Sequence, residues 1–190
     1  MASLKDDFAE LLTRIRCGRD LGPASFEPIY YLVFSPSQIL DVKRMLPAWQ
    51  AQLRKENWDV HSFSIAEYVT SVLSKAPIRR LWLKEDRKAP LAWEKTNQSL
   101  ANWLVKSGPH KELEALLESL AGQPNAIVLV TDLEALHPYM RIGAIEASLY
   151  GKFHVPVVFF YPGKRTGKTR LRFLNFYPDD GNYRSNHIGG

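Results

Sequence analysis

The chain has one cysteine in 190 residues, no long apolar run and no strong excess of either charge. With Cys17 alone, no disulfide can form within the chain, so we expect a reducing compartment. No apolar stretch approaches the ~18 residues of a membrane span. Residues 1–16 carry acids among their apolar positions, unlike the apolar core of a signal peptide or an acid-poor transit peptide. We therefore expect a cytoplasmic protein without a membrane segment.

The charge balance is mixed, with 25 Lys and Arg residues against 20 Asp and Glu and a net charge of +5. Such a balance permits contact with nucleic acid but does not indicate it without clustering. The hydrophobic fraction of 45% is ordinary for a globular protein. A chain of this length fits one domain, 1–190, which buries roughly 70% of its unfolded surface without disulfides or metals.

Short apolar runs predict the strands, and segments with helical spacing lie between them. A continuous apolar run such as 29–34 is typical of a strand buried on both faces. The pattern predicts an α/β fold: a mostly parallel sheet flanked by helices, like a Rossmann or P-loop nucleotide-binding core that lacks its phosphate-binding loop. An antiparallel hairpin is expected at its C-terminal edge. The predicted strands are 29–34, 58–63, 126–130, 155–163 and 171–178.

Helix starts are marked by capping residues, at Ser35 and again at Ser64. Pro36 suits the first turn, whereas Pro47 is expected to kink or split the helix that follows. Region 75–110 is the least defined, with charges gathered at 84–87 and a helix expected beyond them. The predicted helices are 3–17, the segment from 36 to about 53, 64–73, a helix around 113–120, and one from Asp132 to about Tyr150.

The turn after the first strand lacks the parts of a nucleotide site. Residues 35–38 (SPSQ) contain neither the glycine that lets backbone amides surround a phosphate nor a lysine to offset its charge. Residues 162–169 (PGKRTGKT) end like a phosphate-binding loop, but Pro162 replaces the required glycine and a strand, not a helix, is predicted to follow. We predict a solvated hairpin there. Nucleotide hydrolysis is not expected.

Single acids and histidines offer little further chemistry. Asp132 follows an apolar strand, as a Mg²⁺-binding acid would, but an acid at a helix start also suits the helix dipole, and we favour that role. Glu134 and His137 form an ExxH pair that lacks a third ligand, and no Cys/His cluster has zinc spacing. No nucleophile motif is present. We predict no catalytic residues, no metal and no cofactor.

Basic residues cluster between the last two predicted strands. In contact with DNA or RNA they would bind phosphates without sequence preference. A solvated hairpin tip near a sheet edge is the alternative that we favour. The candidate nucleic-acid residues are Lys164, Arg165, Lys168 and Arg170, with Arg172 beside them.

The C-terminal stretch 176–190 combines a turn, aromatics, arginine and histidine. Either it folds back over the sheet, with Tyr183 and Ile188 packed, or it forms a recognition surface, since Tyr and Arg are enriched at interfaces. The sequence does not decide between a packed tail and a recognition surface. The protein-interface candidates are Asn182, Tyr183, Arg184 and His187.

Segments 131–163 and 171–190 resemble the BrxB family of bacterial BREX phage-defence systems. Residues 30–49 are similar to that family's early strand and helix, and the specific motifs are LEALHP and FYPDDGNYRSNHIGG. The resemblance implies an accessory defence subunit without established catalysis, in a system with a DNA methyltransferase, a large ATPase and a PglZ-type protein. Its motif positions here include Leu136, His137 and Pro138.

From this resemblance we expect a non-catalytic adaptor. The PglZ-type protein is the expected partner, the large ATPase is a second, and Tyr183 and Arg184 are the expected anchors. The alternatives are a nucleic-acid-binding subunit that acts through hairpin 164–172, and a divergent nucleotide hydrolase.

Overall fold

The computed structural model describes residues 3–20, 27–167, 170–181 and 185–190. Helices and strands alternate through most of this part of the chain, as predicted. The helices are α1 (Leu4–Asp20), α2 (Ile39–Lys55), α3 (Ile65–Lys75), α4 (Arg79–Lys88), α5 (Glu94–Ser107), α6 (Pro109–Ser119) and α7 (Ile142–Ser148). The strands are β1 (Ile29–Phe34), β2 (Asp59–Ser64), β3 (Ala126–Thr131), β4 (Val157–Arg165), β5 (Leu171–Phe173) and β6 (Asn186–Gly189). Short 3₁₀ turns, Pro36–Gln38 and Leu133–Leu136, precede α2 and follow β3.

One sheet contains the six strands, and its main path runs in the order β2-β3-β4-β1-β6, with every neighbouring pair parallel. The predicted α/β fold with a mostly parallel sheet is therefore confirmed. β5 lies off this path and pairs with the end of β4, where Gly163 stands opposite Phe173. All parallel strands present their carboxyl ends at one edge, which is where ligands of such folds bind.

Alternating residues of the strands supply two cores, one on each face of the sheet. In β1, Tyr30 and Leu32 pack with α1 and α2, whereas Tyr31 and Val33 face the layer that contains α3, α5, α6 and α7. Because β1 is buried on both faces, its sequence is a continuous apolar run rather than an alternating one.

Capping residues begin the helices where predicted. Gln38 Oε1 accepts a hydrogen bond from the Ser35 backbone N–H at 3.1 Å, and Ser64 Oγ accepts one from the Glu67 N–H at 3.2 Å. Pro47 lies inside α2, which remains one continuous helix. The expected split at Pro47 is therefore not observed.

The helix predicted from Asp132 to about Tyr150 is wrong in its extent. Asp132 has a left-handed backbone (φ 60), and only one 3₁₀ turn follows before α7 begins at Ile142. Pro138 has no N–H to donate and cannot sit inside a helix without loss of a hydrogen bond. The intervening residues form a loop that carries His137.

The expected C-terminal edge also needs correction. An antiparallel hairpin forms between β4 and β5, but β5 has only three residues and the last strand, β6, is parallel to β1. The strand predicted through residue 178 stops because Leu174 (φ 50) and Asn175 (φ 64) are both left-handed, and two such residues in a row turn the chain away from the extended conformation of a strand. Region 75–110 holds α4, α5 and the start of α6, and α4 includes the charged residues 84–87.

Among the described residues, no helix combines the length and apolar character needed to cross a membrane.

Candidate functional site

The carboxyl edge of the sheet holds a small charged cluster around Asp132. Lys43 of α2 places Nζ 2.8 Å from Asp132 Oδ1 and 2.8 Å from Glu134 Oε1. Asp132 Oδ2 accepts hydrogen bonds from Ser64 Oγ (2.7 Å) and Thr131 Oγ1 (2.9 Å). The carboxylate therefore ties together the ends of β2, β3 and the middle of α2.

The electrostatics of this cluster favour the ion pair. Burial alone would raise the pKa of Asp132, but the hydrogen bonds from Lys43, Ser64 and Thr131 outweigh it and hold the pKa below its ordinary value. Burial alone would lower the pKa of Lys43, and the two carboxylates raise it instead. The adjoining cavity, next to Phe34, measures about 20 Å³, which is room for about one water molecule. A nucleotide does not fit in a space of this size.

The connections after β1 and β3 leave toward opposite faces, since α2 packs on one face and the 3₁₀ turn with α7 packs on the other. β4 lies between these two strands, so it stands at the switch-point crevice. In folds of this class that crevice binds the ligand. Here β4 continues beyond Pro162, the last residue paired with β1, and Gly163–Arg165 pair with β5. The chain's own hairpin thus stands at the switch point.

The hairpin carries the candidate nucleic-acid residues. Lys164, Arg165 and Arg170 are exposed, and Lys168 lies outside the described residues. Arg172 Nε donates to Asp179 Oδ1 at 2.7 Å. Hydrogen bonding from Arg172 lowers the pKa of Asp179. One of the five cations is therefore already paired.

A buried polar cluster lies on the other side of the sheet, around Tyr31. The Tyr31 hydroxyl donates to Glu146 Oε2 of α7. Tyr31 faces His187 across the β1–β6 register, with ring centroids 5.6 Å apart, and His187 Nε2 lies 3.1 Å from Ser185 Oγ. Three elements distant in sequence thus meet at one tyrosine.

The pKa shifts of the two titratable partners of Tyr31 keep His187 uncharged at neutral pH and leave Glu146 about half protonated there. The pKa of Glu146 is raised to about 7. Burial is the main cause, the charges of Glu27 and Asp180 act in the same direction, and the hydrogen bond from Tyr31 opposes them. The pKa of His187 is lowered to about 4, mainly by burial and to a lesser extent by the nearby charge of Arg165. Neither group was a catalytic candidate from sequence, and the Tyr31–Glu146 pair was missed because Tyr31 lies within an apolar run.

An exposed aromatic surface joins two segments that are far apart in sequence. His137 Nδ1 hydrogen-bonds with the Tyr177 hydroxyl, and the Arg141 guanidinium carbon lies 3.7 Å from the centroid of the Tyr177 ring. Phe176 contacts the edge of His137, with centroids 5.4 Å apart, and is 63% exposed. We call this the His137–Phe176 surface: His137, Pro138, Arg141, Phe176 and Tyr177.

The backbone turn before Phe176 presents this ring to solvent. Leu174 and Asn175 are both left-handed; Asn tolerates this conformation, whereas it strains Leu. Strain of this kind is concentrated at functional sites, where the surrounding structure holds it in place. The exposed Phe176 ring then lies against His137 and Tyr177, with centroids 5.4 and 4.5 Å away.

The structure places one of the four interface candidates from the C-terminal motif. Asn182, Tyr183 and Arg184 lie outside the described residues. His187 is 4% exposed and lies within β6, a position inside the sheet rather than on the surface. Of the tail residues predicted to pack, Ile188 is buried in the core between α1 and the sheet.

The ExxH pair is not brought together. Glu134 binds Lys43 and His137 binds Tyr177. Within the part of the chain that the structure describes, no three His, Cys, Asp or Glu residues are grouped as metal ligands would be.

Comparison with known proteins gives one family match. The model of the family described as BREX protein BrxB matches residues 62–188, more than half of the chain. The match contains both segments of the His137–Phe176 surface and ends within β6. No curated protein and no solved structure matches the chain.

Proposed function

Because the chain belongs to the BrxB family and is thus a component of the BREX phage-defence system, we propose that it is a non-catalytic accessory subunit that binds another protein of that system. Its partner in this proposal is the PglZ-type protein, with the large ATPase as the second candidate. The proposed contact is the His137–Phe176 surface, together with Tyr183 and Arg184, the anchors expected from sequence.

The observation that carries this proposal is the meeting of the two most specific family motifs at an exposed surface. LEALHP contributes His137 and Pro138, and FYPDD contributes Phe176 and Tyr177. Neither His137 nor Phe176 belongs to a core cluster, so the need to fold does not explain these side chains. Aromatic residues and arginine held in fixed orientations are typical of the centre of an interface.

The strand-end cluster supports the non-catalytic part of the proposal. The acid that would hold a metal ion in a nucleotide hydrolase, Asp132, is paired with the ammonium of Lys43. A bound ammonium and a divalent cation compete for the same carboxylate oxygens.

Co-expression with each BREX protein tests the proposal. The tagged chain should capture the PglZ-type protein as a stable complex after purification, and the complex should be lost when His137 and Phe176 are both changed to Ala. The control is Leu40→Ala on α2, because Leu40 is as exposed as Phe176. This variant should capture the partner as the parent chain does. Capture of no BREX protein at micromolar concentration would contradict the proposal.

One observation favours nucleic-acid binding as a second candidate. Lys164, Arg165 and Arg170 are exposed at the tip of a hairpin whose strands are closed by the Thr166 N–H bond to the Arg170 carbonyl (3.0 Å). If this hairpin binds DNA, Ala at Lys164, Arg165 and Lys168 abolishes a salt-sensitive gel shift. No shift with the parent chain at low salt would end this candidate.

A further inference from the structure

Helix α4 and the turn that follows it expose an apolar surface that contributes to neither core. Leu91 is 89% exposed, and Leu81 and Trp93 are each 55% exposed. None of these side chains belongs to a core cluster. Single exposed leucines are ordinary, but a contiguous group marks a surface that is covered in an assembly.

A groove lies between α4 and α5 and is lined by Leu81, while Leu91 and Trp93 flank its lining residue Ala92 in sequence. Trp82 forms part of its floor, where the indole Nε1–H donates to Ser99 Oγ at 2.8 Å. Leu81, Ala89 and Ala92 line its walls, and its volume is about 330 Å³. The small alanines leave space that large side chains of a partner can enter.

The segment that forms this groove is strongly positive. Residues 75–106 contain eight Lys and Arg and three Asp and Glu, so these 32 residues carry the same net charge, +5, as the whole chain. All eight cations are exposed, and none forms an ion pair with another described residue. The cations are Lys75, Arg79, Arg80, Lys84, Arg87, Lys88, Lys95 and Lys106.

We infer that the α4–α5 groove is a docking site for an acidic amphipathic helix of a partner protein in the same defence system. The apolar face of such a helix fills the groove beside Leu81, and its carboxylates meet Lys95, which lines the groove, and the exposed Lys88 at the end of α4. This is the helix-in-groove mode of recognition, with charge that selects the partner and accelerates encounter. The inference rests on the proposed function, because it assumes a BREX protein partner.

Shape and chemistry favour a protein helix over the other polyanions. Duplex DNA satisfies the cations but leaves Leu91 and Trp93 in water, since phosphates offer no apolar contact. A lipid surface suits an apolar face that projects outward, whereas this site is concave, with Ser99, Thr96 and Glu85 in its lining. Only a folded partner with both apolar and acidic side chains satisfies all of these features.

Two variants of the full chain test the inference in the co-expression assay and in titrations of the purified complex. Leu81→Ser with Leu91→Ser removes exposed apolar side chains in and next to the groove, and Lys88→Glu with Lys95→Glu reverses the charge there. Each should weaken binding at least tenfold without loss of folding, because the altered side chains are exposed. The matched controls, Leu40→Ser and Arg54→Glu with Lys55→Glu, change exposed side chains of α2 and should bind as the parent does.

Hydrogen exchange and a photo-crosslinking residue at position 91 identify what occupies the groove. In the complex, residues 79–99 should gain protection, and the crosslink should fall on an acidic helical segment of the partner. A complex that forms with residues 79–99 unprotected and both variants binding normally overturns the inference and leaves the proposed function intact. Protection by duplex DNA or phosphatidylglycerol vesicles instead of the partner also overturns it. Capture of no BREX protein defeats the proposed function, and the inference with it.

Discussion

Lys43 Nζ lies 2.8 Å from Asp132 Oδ1. Asp132 is the acid that the sequence pattern places after β3 as a possible metal ligand, and its partner here is the ammonium group of a lysine on α2. The ion pair links a helix on one face of the sheet to the turn that leads into the other layer. The ion pair accounts for the acid at this strand end, because Asp132 stabilises the fold and needs no ligand to do so.

The first prediction concerns this ion pair. Lys43→Met should lower the free energy of unfolding by about 1 kcal/mol or less, because the lysine side chain is 46% exposed and solvent screens the pair. Asp132→Asn retains a residue that tolerates the left-handed backbone. A double-mutant cycle in denaturant should give a coupling energy of roughly 0.5 kcal/mol that shrinks in 1 M salt.

The pH dependence of that coupling follows from the carboxylate. The pKa of Asp132 lies below the ordinary 3.8 in the folded state, so its stabilising contribution is full above that value and is lost as pH falls through the folded pKa. A coupling energy of zero at neutral pH would show that Lys43 and Asp132 do not interact in solution.

The second prediction is the absence of a nucleotide effect. Thermal unfolding with Mg-ATP at millimolar concentration should give the same Tm as without it, because the strand-end cavity of about 20 Å³ admits no nucleotide. Binding at 100 times Kd would add roughly 2.7 kcal/mol to stability and raise Tm by several degrees. Such a rise, lost in Asp132→Asn, would contradict the non-catalytic proposal.

The third prediction uses the opposed titrations of Glu146 and His187. Glu146, with a folded pKa of about 7, binds a proton on folding between its ordinary value of 4.5 and pH 7. His187, with a folded pKa of about 4, releases one on folding between pH 6.5 and 4. From about pH 4.5 to 6.5 the two effects cancel, so the parent's stability should be nearly flat there as far as this cluster is concerned.

Replacement of either residue should reveal the pH dependence of stability that the other one causes. In Glu146→Gln, stability should fall as pH decreases from 6.5 toward 4.5, because unfolding then takes up a proton at His187. In His187→Asn, stability should rise as pH decreases from 7 toward 4.5. Each slope should approach about 1.4 kcal/mol per pH unit, measured by urea denaturation. Parallel pH profiles for the parent and both variants would refute the opposed shifts.

The fourth prediction concerns Gly189 in the last strand. Its φ of 74 disfavours any side chain, and a Cβ there would lie 2.5 Å from the Val33 carbonyl oxygen. Gly189→Ala should therefore destabilise the fold by about 2 kcal/mol in chemical denaturation. Gly167→Ala is the control, because a Cβ at Gly167 meets nothing within 4 Å. Equal stability of the two variants would mean that β6 does not pack against β1 as described.

Sequence reasoning predicted the sheet because its information is local. The apolar runs of β1, β3 and β4 need no knowledge of their neighbours, and the caps at Ser35 and Ser64 lie within three residues of the groups that they satisfy. The loop at Pro138 was missed because Ile142 and Ile145 keep helical spacing, and spacing alone does not show where a proline interrupts a helix.

The functional surfaces depend on contacts that no local pattern contains. The Tyr31–Glu146 hydrogen bond joins residues 115 positions apart, and His137 meets Tyr177 over 40 positions. Both require the register of the sheet. The ExxH spacing singled out His137 only as an incomplete metal ligand, and the motif resemblance pointed to it without its partner Tyr177. The exposed side chains of α4 lie in the region whose sequence pattern was least defined.

The central claim is that an exposed aromatic surface binds a BREX protein. It is tested most directly by titration of the PglZ-type protein with the parent chain, Phe176→Ala and Leu40→Ala, whose altered side chains are each 63% exposed. A central aromatic contact contributes about 2 kcal/mol, so Phe176→Ala should raise Kd roughly 30-fold, and Leu40→Ala should leave it unchanged. Equal Kd values for all three chains would contradict the account.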